Sequence, residues 1–203
     1  MDKKETVNCT KKKLVNIVLA FVIPTVIMLI AVKREMILYA INDDTGMRSM
    51  ADGIYGGTPD GHLTWTPYVY GWVISCLYRM IPQIDWYGFF VLGMPVLALC
   101  VVAYRVISGE DSKKRFIYYG VTGAIFLVFV SADIMTFQWT ISSVICAACA
   151  YFLFYTNEDS TLYYFWTWFF FFMSYCIRPY SLYMAAAAFV PLFLFKWKVY
   201  EYR

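Results

Sequence analysis

Long apolar runs recur along this chain from residue 14 to residue 195, and they limit the folds that are open to it. The runs are residues 14–32, 86–107, 116–131, 140–155, 161–177 and 181–195. A membrane-spanning helix needs about 20 predominantly apolar residues to cross roughly 30 Å of hydrocarbon. Charged residues make up only 15% of the chain. We therefore expect an all-α fold, a polytopic integral membrane helix bundle with six transmembrane helices.

The first apolar run is an uncleaved anchor in this interpretation. Residues 14–32 are longer than the apolar core of a typical signal peptide, and no small-residue cleavage site follows them. Such a segment stays in the mature protein as a membrane span.

A seventh segment, residues 67–82, is apolar but short, lies between prolines and contains Arg79. The positive-inside rule decides whether it crosses the membrane. If it does not cross, twelve of the seventeen Lys and Arg residues are cytoplasmic; if it crosses, the count is seven inside against ten outside. We therefore predict a segment that lies flat on the outer surface, with Trp and Tyr rings at the interface.

The predicted organisation follows from this choice. One membrane domain covers residues 1–203, with cytoplasmic tails at 1–13 and 196–203 in the plasma membrane. Residues 33–85 form a long external loop with interfacial helices, and residues 86–195 hold five further spans. The lipid bilayer is thus the first expected partner, and nothing in the sequence is typical of nucleic-acid binding.

Four charged side chains are predicted at one depth, the outer ends of the spans. Asp43 and Asp44 follow the first span, Asp133 follows the third and Arg178 follows the fifth. A carboxylate beside a second acid can take a proton from a hydroxyl group, and a guanidinium can bind a phosphate with two parallel hydrogen bonds. This pattern favours a site that binds a hydroxyl-bearing acceptor molecule next to a phosphate carried on a lipid.

The order of these features resembles the amino-terminal module of the GT-C membrane glycosyltransferases. The order is a lysine-rich start, a span, an external loop opening on NDD, a GTPDG turn, the segment PYVYGWVISCLYRMIP and then IDWYG. Uncharacterised bacterial members of this class have similar elements in the same order. The resemblance implies transfer of a sugar from a polyprenyl-phosphate-linked donor to an extracytoplasmic acceptor.

The resemblance also implies roles for single residues. Asp43 or Asp44 corresponds to the catalytic acid of the first loop, which accepts a proton or binds a divalent cation, and Asp133 corresponds to its partner in the second external loop. Arg178 corresponds to basic residues near the lipid phosphate. Such enzymes usually have eight or more spans, so this chain is expected to be a truncated module or half of an enzyme.

Structural alternatives remain open for each of these residues. Asn42 or Asp43 could cap a short helix while Asp44 pairs with Arg48, and Arg178 could mark the membrane boundary. We assign Arg79 and His62 to substrate binding. The alternatives are a contact of Arg79 with lipid headgroups, and a metal site at His62 or a plain polar role for it. Cys146 and Cys149 form a C-x-x-C in an apolar run, where packing is favoured over metal or redox chemistry.

Two function classes compete at this point. The first is the GT-C-like transferase; the second is a non-catalytic polytopic subunit or flippase partner in envelope glycan assembly, which would bind a second, larger membrane subunit. An ion or solute transporter is disfavoured because the six predicted spans carry no acidic residue in their apolar cores.

Overall fold

The computed structural model describes residues 11–22, 25–26, 28–29, 33, 38–39, 42–108, 136–156 and 160–201. Residues 11–17 are helical and continue into a π-helical turn, Val18–Val22. The longer helices are α1 (Asn42–Ala51), α2 (Tyr68–Met80), α3 (Trp86–Ser108), α4 (Trp139–Thr156), α5 (Thr161–Ile177) and α6 (Pro179–Glu201). Two strands of two residues each, β1 (Leu38–Tyr39) and β2 (Thr136–Phe137), pair with each other. The expected all-α class is confirmed apart from this short pair.

Four of the predicted apolar segments are helices: α3, α4, α5 and α6. The bounds of α3, α4 and α5 lie within one residue of the prediction, whereas α6 begins two residues before the predicted segment and ends six residues after it. Two of them, α3 with 23 residues and α4 with 18, are long and apolar enough to cross a membrane. The predicted span at 116–131 and Asp133 lie outside the described residues, and the run at 14–32 is described only in part.

Proline and aspartate mark the starts of α2 and α3. Pro67 is the N-cap residue of α2, and its carbonyl oxygen accepts the Tyr70 N–H at 3.1 Å. Asp85 precedes α3 and accepts a hydrogen bond from the Gly88 N–H at 3.0 Å, as an N-cap side chain does. The segment predicted as an interfacial helix is thus a 13-residue helix.

The described contacts group into two compact units. One unit contains Met1–Leu38 and Val96–Thr136, and the other contains Tyr39–Pro95 and Phe137–Arg203. In the first unit, Ala20 packs with Ala103 and Ile107 in a small apolar core.

The second unit holds α1, α2, the start of α3, and α4 to α6, and buried serines join its helices. The Ser143 hydroxyl on α4 donates to the Ser174 backbone carbonyl of α5 at 2.9 Å and lies 3.1 Å from the Ser174 hydroxyl. Ser142 donates to the Val91 carbonyl of α3. Small residues of this kind let helix backbones approach closely. Cys146 and Cys149 are both buried on α4 within this packing.

Candidate functional site at the start of helix α1

The candidate site is centred on Asp44, which lies in the first turn of α1. Asp44 is 0% exposed. Its Oδ1 atom accepts a hydrogen bond from the Tyr87 hydroxyl at 2.9 Å and one from the Trp139 backbone N–H at 3.1 Å. The donors come from the first turn of α3 and the first residue of α4. One carboxylate oxygen therefore joins the starts of three helices.

The second oxygen of this carboxylate, Asp44 Oδ2, is buried and has no hydrogen-bond partner among the described residues. Burial, the largest influence, raises the pKa of Asp44 from 3.8 to about 6. The bonds from Tyr87 and Trp139 lower the pKa, and the charge of Asp43 raises it. A carboxyl group with this proton affinity exchanges a proton near neutral pH, which is what a general base requires.

Arg178 lies over the indole ring of Trp139. Its guanidinium carbon is 4.5 Å from the centre of the indole ring, and its Nη1 donates a hydrogen bond to the Thr140 hydroxyl. A guanidinium over an aromatic face gains a cation–π attraction. Asp44 and Arg178 thus contact the same residue, Trp139, one through its backbone and the other through its ring.

Arg178 is placed there by the break between α5 and α6. Pro179 follows it and begins α6, and a residue before proline is pushed out of the helical region. Arg178 accordingly has extended backbone angles, φ −156° and ψ 104°. Its carbonyl oxygen accepts the Ser181 N–H at 3.1 Å and lies 3.1 Å from the Ser143 hydroxyl oxygen. The break between α5 and α6, one alternative for which was a membrane boundary at Arg178, thus also places the Arg178 guanidinium against α4.

A second carboxylate, Asp85, supports the site from the start of α3. Its Oδ1 accepts the Tyr78 hydroxyl at 2.8 Å and lies 3.3 Å from Arg48 Nε. The Tyr78 hydroxyl oxygen in turn accepts the Tyr87 N–H at 3.1 Å. Burial raises the pKa of Tyr78, and the Asp85 carboxylate raises it further, so this hydroxyl stays a donor. These bonds hold Tyr87 in place to reach Asp44.

The structure brings together only some of the residues predicted for the site. Asp44 and Arg178 each contact Trp139, one at its backbone and the other at its ring, while Asp43 is exposed beside Asp44. Asp133 lies outside the described residues. Arg48, predicted as an alternative partner of Asp44, lies against Asp85.

Arg79 and His62 belong to the loop between α1 and α2. The Arg79 Nη2 atom donates to the Pro59 carbonyl oxygen at 2.7 Å. His62 Nδ1 is 2.7 Å from Asp60 Oδ1, and both side chains are mostly exposed. Their assignment to substrate binding stays a prediction.

Sequence analysis missed the two residues that bind Asp44. Tyr87 lies within IDWYG, whose Asp and Gly form the cap of α3, so the motif carried a usable signal of a helix start. Trp139 gave no such signal, because its contribution is a backbone N–H.

Among the described segments, no three His, Cys, Asp or Glu side chains gather as a metal site would need. The divalent cation expected from the resemblance therefore stays a prediction. No protein-family model, curated protein or solved structure matches the chain.

Proposed function

We propose that this chain is a membrane glycosyltransferase-like protein, which transfers a sugar from a polyprenyl-phosphate-linked donor to an extracytoplasmic acceptor. The observation that supports it best is the Asp44 carboxylate. One of its oxygens is held by two donors and the other has no partner among the described residues, while burial brings its pKa to about 6. A hydroxyl acceptor could give its proton to that second oxygen.

Arg178 is assigned to the donor phosphate in this proposal. A guanidinium binds phosphate with planar, paired N–H groups, and it stabilises the charge that develops when the phosphate leaves. Because Arg178 and Asp44 share Trp139, the proton acceptor and the phosphate ligand are linked through one residue. Asp44 is fully buried, so the proposal requires the start of α1 to open when an acceptor enters.

The membrane topology is part of the proposal. Six spans with both termini cytoplasmic place α2 flat on the outer leaflet, since 13 residues of helix cover only about 20 Å. The outward face of α5 supports a lipid environment, because it presents large apolar side chains in helical spacing. They are 43% to 67% exposed: Leu162, Phe165, Trp168, Phe172 and Tyr175.

Topology is tested by labelling single cysteines with a membrane-impermeant reagent in intact cells, in a chain without other cysteines. Thr58→Cys lies in the exposed loop before α2 and is expected to react, whereas Lys113→Cys is expected to react only after lysis. Labelling of Lys113→Cys in intact cells would contradict the six-span topology.

Activity is tested with the full chain in lipid vesicles, supplied with radiolabelled polyprenyl-phosphate-linked hexoses and with detergent-washed membranes as the source of acceptor. Asp44→Asn is expected to lose transfer, and Asp43→Asn, at its exposed neighbour, shows which of the two carboxylates is the proton acceptor. Full transfer by folded Asp44→Asn would exclude Asp44 as the proton acceptor. Absence of transfer by the unaltered chain with every donor would contradict the transferase proposal.

A non-catalytic polytopic subunit is the second candidate, and the burial of Asp44 favours it. A fully buried carboxylate that accepts the first N–H of α4 also has the geometry of a structural cap between distant segments. This candidate predicts that a larger membrane protein co-purifies with the chain and that Asp44→Asn leaves the complex intact.

A further inference from the structure

The start of α4 brings an arginine and a tryptophan to one place. The Arg178 guanidinium carbon lies 4.5 Å from the centre of the Trp139 indole ring. Arg178 Nη1 also donates a hydrogen bond to the hydroxyl of Thr140, the next residue of α4. The first contact holds the guanidinium carbon over the ring and the second holds one of its nitrogens, so the guanidinium is fixed against the first turn of the helix.

The Trp139 side chain carries a polar group that these contacts leave unused. The residue is 2% exposed, and its indole N–H, on Nε1, has no hydrogen-bond partner within the described segments. A buried donor without a partner is unfavourable, and native proteins nearly always supply one. Because Nε1 is an atom of the ring under the guanidinium, this donor lies close to the charged group of Arg178.

The Arg178 guanidinium also has donors that its own contacts do not use. A guanidinium has five N–H groups and is charged throughout the pH range in which proteins fold, and one of these groups binds Thr140. Its two contacts at α4 are with a neutral hydroxyl and a neutral ring. Neither contact offsets the positive charge.

The start of the helix adds to this positive field. The first N–H groups of an α-helix have no partner within the helix, and they form the positive end of the helix dipole. In α4, which has 18 residues, the Ser142 N–H donates to the Gln138 carbonyl oxygen. The N–H groups of Thr140 and Ile141 have no intrahelical carbonyl oxygen to bind. Helix starts of this kind favour anions.

An anion with several oxygen atoms suits these donors. Hydrogen bonds from N–H groups are about 2.9 Å long, and the guanidinium carbon is 4.5 Å from the indole centre. One phosphate group has oxygens on different sides of its phosphorus, so it can accept from both side chains at once. Asp44 contacts Trp139 at its backbone N–H, so the charge next to the ring is that of Arg178.

We propose that the Trp139 indole N–H and the Arg178 guanidinium bind one phosphate group at the start of α4. The phosphate reaches the buried indole N–H from the side of Arg178, which is partly exposed. Arginine supplies the charge, and the indole N–H is a neutral, directional donor that fixes how the phosphate is turned. The identity of the phosphate as that of the sugar donor rests on the proposed function. The binding itself does not, because a phosphate on another lipid headgroup or in solution has the same oxygens.

The indole N–H makes the test direct. The chain has seven tryptophans. The full chain, labelled with a heavy nitrogen isotope at its indole nitrogens, is held in micelles of an uncharged detergent without phosphate, and the Trp139 signal is identified in nuclear magnetic resonance spectra by its loss in Trp139→Phe. Inorganic phosphate is expected to move this signal, and phosphatidic acid in the micelles should move it without inorganic phosphate if the ligand is a lipid headgroup. A Trp139 signal that neither probe moves would overturn the proposal.

Two matched substitutions test the role of the indole N–H. Trp139→Phe keeps a ring under the guanidinium and the backbone N–H that binds Asp44, but it removes the indole donor. By calorimetry it is expected to bind the probe that moves the signal about 10-fold more weakly, as the loss of one charge-assisted hydrogen bond does. Trp168→Phe, the same replacement at an exposed position of α5, should leave the affinity unchanged. Equal affinity in the two variants would refute the role of Trp139.

A second variant covers the case in which Trp139→Phe does not fold. Arg178→Gln removes the guanidinium charge and is expected to weaken the same probe by at least about 10-fold in the same calorimetric assay. Unchanged affinity in folded Arg178→Gln would overturn the proposal.

The outcome is independent of catalysis. Phosphate binding by a chain that transfers no sugar would keep this site and remove the transferase proposal. Sugar transfer by a chain whose Trp139 signal does not respond to phosphate would keep the transferase proposal and remove this site.

Discussion

The substitution Asp44→Asn is expected to stabilise the protein at pH 8 while it removes sugar transfer. Burial raises the pKa of Asp44 from 3.8 to about 6, and one pKa unit is worth about 1.4 kcal/mol. The ionised carboxylate therefore makes folding less favourable by about 3 kcal/mol relative to its neutral form. Asparagine is always neutral, and its carbonyl oxygen can still accept the Tyr87 hydroxyl and the Trp139 N–H.

The direction of the pH dependence follows from proton binding. Between pH 3.8 and about 6 the folded state holds the Asp44 proton and the unfolded state has released it. The contribution of Asp44 to stability is thus full below this window and is lost as the pH rises through it. The difference in unfolding free energy between Asp44→Asn and the unaltered protein should be small near pH 4 and reach about 3 kcal/mol by pH 8.

The measurement is chemical unfolding of the full chain in detergent micelles across this pH range. Asp43→Asn is the control, because an exposed substitution changes stability by less than about 0.5 kcal/mol. An Asp44→Asn protein that is less stable than the unaltered one at pH 8, or a difference that does not vary with pH, would refute the reasoning. An Asp44→Asn protein that is more stable but transfers no sugar would show the pattern of a functional group that costs stability. An Asp44→Asn protein that still assembles with a larger membrane protein would favour the non-catalytic subunit.

Three further outcomes are expected. Tyr87→Phe removes a hydrogen bond that lowers the pKa of Asp44, so the upper end of the pH window in which stability is lost should move above 6; an unmoved window would contradict the contact. Gly71→Ala is expected to lower the unfolding free energy by about 3 kcal/mol, because its Cβ would overpack against the Gly61 carbonyl oxygen. Gly46→Ala lies in a helix with open space around it and should raise the unfolding free energy by about 1 kcal/mol. Similar effects of the two substitutions would contradict the close approach of Gly61 and Gly71. Arg178→Lys loses the planar stack on the indole and should lower the thermal midpoint, with an unfolding free energy about 1 kcal/mol smaller, and an unchanged midpoint would count against the stack.

Helix bounds were largely predictable from the sequence, because apolar runs, prolines and capping residues act locally. The segment at 161–177 is a helix with those bounds, and the segment at 86–107 differs from α3 by one residue. Asp44 and Arg178 each contact Trp139, one through its backbone N–H and the other through its ring. Their common depth in the membrane, which came from counting spans, stays a prediction.

The partners within the site were not predictable in the same way. Tyr87 lies 43 residues from Asp44, and Trp139 lies 95 residues from it. Contacts across such separations depend on how helices pack, and neither residue type signals a bond to a carboxylate. Helical spacing suggested a local partner instead, an ion pair between Asp44 and Arg48, but Arg48 lies against Asp85.

The contact between Gly61 and Gly71 fixes which positions of the loop can vary in evolution. No side chain fits between the two backbones, so the smallest replacement at position 71 would push the loop away from α2 and take the His62 imidazole with it. Any distant relative that keeps the histidine in this place should keep both glycines as a pair, even where the exposed Ile54 and Tyr55 have become other residues.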